Sequence, residues 1–145
     1  MKLQKNTRFA LTSVLEAAAQ PGRAVSAGAI ARKHGISAHH LAKVLHTLAR
    51  AGVLASTRGV GGGYRFVGNA RRLTLMDVIE LFEAIAAPAP RPARGAAAER
   101  AIGTVLAEID AMAEATLRSI TIATLLKIAA RAVSPSAASP RAARA

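Results

Sequence analysis

Between Ser56 and Phe66 the chain reads STRGVGGGYRF, with Gly59, Gly61, Gly62 and Gly63 falling inside five residues and Arg58 and Arg65 on either side. Glycines and cations together suggest a phosphate cradle. The spacing does not fit one. A nucleotide-triphosphate loop ends in Gly-Lys-Ser/Thr at the start of a helix, and the dinucleotide fingerprint needs its third glycine where Tyr64 stands. The flanks, Val53-Leu54-Ala55-Ser56 and Tyr64-Arg65-Phe66-Val67, are short and strand-like. Two such runs around a glycine turn predict a β-hairpin.

Other chemistries find little support. The four histidines lie between His34 and His46 without a carboxylate beside them, a poor metal set. The chain has no cysteine, which excludes disulfides, Cys-ligated zinc and Cys-ligated iron–sulfur clusters. Asp77, Glu80 and Glu83 read as the solvated face of one helix, and no nucleophile–base pair stands out. Neither an enzyme nor a metal or cofactor protein is expected.

Charge gives a clearer signal. The 145 residues carry a net charge of +12, and nearly all of it sits in the first half. Residues 1–72 hold twelve Lys and Arg against Glu16 alone, a balance of +11. That asymmetry suggests a surface facing a polyanion. A genome rich in arginine and alanine codons is the competing explanation. The N-terminus lacks the apolar core and cleavage site of a signal peptide, and no run of 18 apolar residues is present. A soluble cytoplasmic protein without membrane contact is expected.

The elements follow from periodicity and caps. Helices are predicted over Thr7 to Ala19, Ala27 to Lys33 capped by Ser26, and Ala38 to Ala51 capped by Ser37. After the hairpin, Thr74 to Asp77 forms a capping box opening a fourth helix to about Ile85. Residues 86–97, AAPAPRPARGAA, read as a linker, and residues 98–130 as one long alanine-rich helix. Residues 131–145 read as a disordered basic tail.

Helices two and three, joined through Gly35 and Ile36 and locked by Ile30, Ala31, Leu41 and Val44, describe a helix-turn-helix, and the hairpin after them describes a wing. The fold class is mainly α with a small β-hairpin: a winged helix-turn-helix over residues 1–85, followed by the long helix. Helix three then presents Ser37, Ala38, His39, His40, Lys43 and Thr47 to the major groove of double-stranded DNA. His39 and His40 could instead be merely solvated. In the wing, Arg58 can enter a minor groove, Gly59, Gly61 and Gly62 let the backbone approach the sugar–phosphate edge, and Arg65 adds charge. Tyr64 is expected to pack the wing on the body rather than stack on a base. In the long helix Ile102, Val105, Ile109, Met112 and Thr116 repeat at three and four, with Leu106 widening the stripe, the period of a homodimer seam. Packing on the helix's own body is the alternative.

The wing sequence RGVGGGYRF followed by LTLMDVIELFEAI resembles the Rrf-two family of bacterial winged-helix regulators. NTRFALTSVLEAA matches the family's start, SAGAIARKHGISAHHLAKVLHTLARAGVLAS its helix-turn-helix, and LRSITIATLL the close of its dimer helix. The resemblance covers about residues 1–126 and implies a homodimeric transcription regulator. Two departures matter. Cluster-binding members carry three cysteines where this chain has APAPRPARGAAAER, so the resemblance does not extend to an iron–sulfur cofactor. Some members have a glutamate where Ala42 stands, tied to discrimination between operator classes, which does not carry over. The expectation is a sequence-specific repressor acting on an operator as a homodimer. A protein-interaction module and a nonspecific DNA-coating protein are the rivals. No small-molecule effector is indicated.

Overall fold

The computed structural model describes residues 2–83 and 96–133. In chain order it runs α1 (Lys5–Ala18), α2 (Ala27–His34), α3 (Ala38–Arg50), β1 (Leu54–Thr57), β2 (Gly63–Phe66), α4 (Leu75–Glu80), α5 (Ala97–Ser119) and α6 (Ile122–Val133). This is the mainly helical winged fold with its hairpin. Both strands lie one residue nearer the turn than the sequence suggests.

The core forms where three helical stripes meet. Ala10, Val14 and Ala17 of α1 face Ile30 and Ala31 of α2 and Leu41, Val44, Leu45 and Leu48 of α3, all buried. Small alanines on α1 and α2 let the helices approach closely, and the leucines of α3 fill the space between. The caps are local chemistry. Ser26 Oγ accepts from the Ala29 amide at 3.0 Å. Gly35 closes α2 in the left-handed conformation, φ 61°, and the Ile36 amide reaches back to the Ala31 carbonyl at 2.9 Å. Glycine adopts that geometry without a Cβ penalty. Thr74 and Asp77 form the expected reciprocal capping box. Ser37 is a difference: its hydroxyl makes no cap hydrogen bond to α3.

The wing is antiparallel, with Leu54 opposite Phe66 and Thr57 opposite Gly63. Tyr64 packs against the core, and its backbone exchanges two hydrogen bonds with Val25, at 2.8 and 2.9 Å. Packing is therefore its role here, as expected. Gly63 is required at this junction, since a Cβ there would stand 2.4 Å from the Val25 carbonyl oxygen. The wing is pinned to the segment before α2.

Three expectations need correction. The helix expected over residues 98–130 is two helices. It ends at Ser119, Ile120 is extended, and α6 starts at Ile122. The cause is pairing at long range: the Leu75 amide donates to the Ile120 carbonyl and the Ile122 amide to the Leu73 carbonyl, each at 2.9 Å. The run Ile120-Thr121-Ile122 is β-branched and gives up helix readily, and Thr121 Oγ1 receives the Thr124 amide. Ile122 is then fully buried in the core, and α6 packs along α1. Second, α4 stops at Glu80 rather than near Ile85. Third, the carboxylates near α4 are not one solvated face. Asp77 caps α4, Glu80 pairs with Arg118, and Glu83 Oε1 accepts from the Gln4 amide at 2.8 Å and the Thr7 hydroxyl at 2.6 Å. Glu83 thereby places negative charge at the N-terminus of α1, where the helix dipole favours it. Of the expected linker, residues 86–95 lie outside the described residues, while Ala97 already belongs to α5; of the tail, residues 134–145 lie outside them and Arg131–Val133 continue α6. Among the described residues no helix is long and apolar enough to cross a membrane.

Candidate nucleic-acid interface

The helical period sorts α3 into two faces. Leu41, Val44, Leu45 and Leu48 are buried, and Ser37, Ala38, His39, His40 and Lys43 are exposed. Thr47 is half-exposed, its hydroxyl bonded to the Lys43 carbonyl at 3.1 Å. The residues assigned from sequence to a groove-facing ridge are therefore all at least partly exposed. His39 and His40 lie edge to face with ring centroids 6.3 Å apart. With Ser37 uncommitted, the first-turn amides of α3 lack a side-chain acceptor and can meet an anion.

At the wing, Arg58, Gly59, Gly61 and Arg65 are exposed and Gly62 is partly covered. Packing of β1 against α3 and the Val25–Tyr64 pairing couple the hairpin to the helical body. Among the described residues no carboxylate stands within ion-pair distance of Lys43, Arg58 or Arg65.

The single acid of the first half is used elsewhere. Glu16 on α1 holds Lys33 Nζ at 2.7 Å and His34 Nε2 at 2.9 Å, both on α2. Partial burial pushes its carboxyl up, but hydrogen bonds and charge from Lys33 and His34 outweigh that and leave it below the ordinary carboxylate value. This pairing fastens the first helix of the helix-turn-helix to α1 and leaves the ridge and wing positive.

One basic region escaped sequence reasoning. Lys2, Lys5 and Arg8 line a groove of about 510 Å³ with Leu3, Phe9, Thr12, His34 and Ile36. It lies directly beside the turn that leads into α3. Spacing of three between the cations was the available signal, but the groove exists only once α1 docks on that turn. A metal set is not assembled: among the described residues no three His, Asp or Glu side chains converge.

The seam residues behave differently from the ridge. Ile102, Val105, Leu106, Ile109 and Met112 are all more than half exposed, and α5 has no buried residue. Thr116 is exposed on the same helix with its hydroxyl bonded to the Met112 carbonyl. Among the described residues, nothing of the same chain covers this stripe. Arg118 ties the end of α5 to the body by pairing with Glu114 and Glu80, and these two carboxylates hold its guanidinium above its ordinary value.

Residues 3–128 match the Rrf2 family, described as iron-dependent transcriptional regulators. A candidate HTH-type transcriptional regulator named BadM, from Rhodopseudomonas palustris, is 52% identical over 129 residues, covering 88% of this chain and 83% of that protein. The IscR regulator of Vibrio vulnificus is 36% identical over 80 residues, spanning 54% of this chain and 48% of its own length. Among solved structures, CymR, the global cysteine regulator of B. subtilis, superposes with a TM-score of 0.77 at 26% identity, covering 88% of this chain and 98% of that one. IscR of T. potens does so with 0.76 at 25% identity, covering 94% and 93%. The family's iron description finds no fit in this donor set, because the sequence has no thiolate and no converging ligands are present among the described residues. With its helix-turn-helix, pinned wing and bare long helix, the chain belongs to the Rrf2 family of winged-helix, DNA-binding transcriptional regulators.

Proposed function

We propose that this protein is a sequence-specific repressor that binds an operator in double-stranded DNA as a cytoplasmic homodimer, without an iron–sulfur cluster. The observation that carries the reading is the distribution of charge. The ridge of α3 and the wing keep their cations unpaired among the described residues, while Glu16 is consumed by Lys33 and His34. On this reading Ser37, Ala38, His39, His40 and Thr47 meet base edges, Lys43 and Arg65 meet phosphates, and Arg58 enters the minor groove between the close-approaching Gly59, Gly61 and Gly62. The groove with Lys2, Lys5 and Arg8 extends the backbone contact toward α1. The exposed stripe from Ile102 to Thr116 pairs with that of a second copy and sets the spacing of the two half-sites.

Titration of the protein against operator and scrambled duplexes at several salt concentrations tests this. Arg58→Ala should cost about 1–3 kcal/mol, concentrated on sites with an A·T-rich wing-facing segment. Lys43→Ala should weaken both duplexes alike and lower the salt slope by about one. Equal affinity for operator and random DNA would make the protein a coating protein instead. Failure to bind any duplex would leave the partner-protein module as the surviving reading.

A further inference from the structure

Val60 is the most exposed large apolar side chain among the described residues, at 110% of its reference area, and it stands at the tip of the wing. Isolated exposed apolar residues are common on protein surfaces. The setting of this one is not. The Gly62 amide donates to the Gly59 carbonyl at 2.9 Å, closing a four-residue turn with Val60 and Gly61 at its corners. Gly61 has φ +77° while Val60 keeps a negative φ, the type II pattern, in which the third residue must be glycine. Gly62 is equally constrained, since a Cβ there would lie 2.5 Å from the Thr57 carbonyl oxygen. The first corner of such a turn, where Val60 stands, favours proline and places no demand for a branched apolar side chain. Val60 is thus set at a hydrogen-bonded corner among glycines, two residues after Arg58, with no side chain on its immediate neighbours 59 and 61 to shield it.

We propose that Val60 is a specificity-determining residue that rejects G·C pairs at the wing-facing positions of the minor groove. The inference rests on the DNA-binding function proposed above and adds a second, chemically different reader to the wing. The floor of the minor groove presents only acceptors at A·T pairs, whereas G·C adds the guanine N2 amino donor. A β-branched side chain is restricted at χ1 and lies against that floor with little loss of side-chain freedom. Over A·T it covers only the acceptors that both kinds of pair present. Over G·C it covers a donor as well and offers nothing in return, and that additional buried unsatisfied donor is costly. Arg58 reads something else. It responds to the depth of the negative potential, which follows groove width.

The test uses the full-length protein and a duplex that it enriches from a random-sequence library, with the wing-facing base pairs located by hydroxyl-radical footprinting. Those pairs are made A·T, G·C or inosine·C, the last lacking only the N2 amino group. Wild type should bind A·T and inosine·C alike and G·C about tenfold more weakly. Val60→Ser, which supplies an acceptor, should bring all three within about twofold. Losing the amino group also changes groove width, so Arg58→Ala is the second arm: it should weaken every duplex yet keep the gap between G·C and inosine·C. The proposal is overturned if inosine·C binds as weakly as G·C, or if the gap survives Val60→Ser and disappears in Arg58→Ala. An unenriched library overturns the DNA-reading function itself, and this inference with it. Enrichment without the inosine effect overturns only the role of Val60.

Discussion

Helices α3 and α5 both carry apolar residues at spacings of three and four, yet the chain treats them in opposite ways. Leu41, Leu45 and Leu48 of the 13-residue α3 are completely buried. The 23-residue α5 leaves Ile109 half exposed and Met112 at 65%. Periodicity alone does not distinguish the two. What differs is the opposing surface: α1, α2 and β1 surround α3, whereas α5 touches its own body chiefly at α4 and runs about 35 Å at 1.5 Å per residue. The first stripe completes a core within one chain. The second is complete only if something else covers it, and an identical stripe from a second copy is self-complementary across a two-fold axis.

The comparison breaks most forcefully at Leu45. Truncation to alanine removes a fully buried side chain from the centre of the winged body, and such cavities cost about 2–5 kcal/mol. Chemical denaturation of Leu45→Ala should show that loss at any protein concentration. Ile109→Ala, on an exposed face, should leave the stability of the isolated protomer nearly unchanged. An equal loss in both would mean that α5 is packed on its own body after all.

The next effect in size is on assembly. A charge at Ile109 has nothing to pair with in a seam of Ile102, Val105, Leu106 and Met112, and burying it unpaired is expensive. Ile109→Asp should therefore run as a monomer in light scattering, with its far-ultraviolet circular dichroism close to wild type and its denaturation midpoint lowered by the concentration-dependent part that association supplies. Operator affinity should fall as the two half-sites uncouple. A monomeric wild type at micromolar concentration would remove the basis for this reading of α5.

Sequence reasoning reached what is encoded by neighbours. The Ser26 cap, the Gly35 turn, the Thr74–Asp77 box and the two faces of α3 all depend on residues within one or two turns of each other, and the fold class followed from their order. It failed where the partner lies far along the chain. The break at Ile120 is held by backbone pairing with residues 73–75. Glu83 turned from a supposed solvated face to cap α1, 76 residues away from Thr7. The basic groove of Lys2, Lys5 and Arg8 depends on where α1 docks. For the candidate interface, residue types and period exposed the ridge, but the silence of the Ser37 hydroxyl and the projection of Val60 are properties of backbone geometry.

The smallest effect sharpens the comparison from the side of charge. An ionic cluster fastens each region: Glu16 with Lys33 and His34 inside the winged body, and Arg118 with Glu80 and Glu114 at the foot of α5. The first is the less exposed, with the Glu16 side chain at 19% against 41% and 42% for Glu80 and Glu114. Its removal should therefore be measurable, and Glu16→Gln should destabilise the protein by about 1 kcal/mol at neutral pH, near the upper end for pairs open to solvent. The direction of the pH dependence follows from the lowered carboxyl. A group whose folded pKa lies below its unfolded value stabilises the fold above the unfolded value and loses that contribution as pH falls through the folded one. The gap between wild type and Glu16→Gln should thus be full well above 4.5, the ordinary value for this carboxyl, and close on the acid side below it. Denaturation midpoints for both proteins from neutral to acid pH check this. A gap that stays constant down that range would show that ionisation of Glu16 is not the source of the difference.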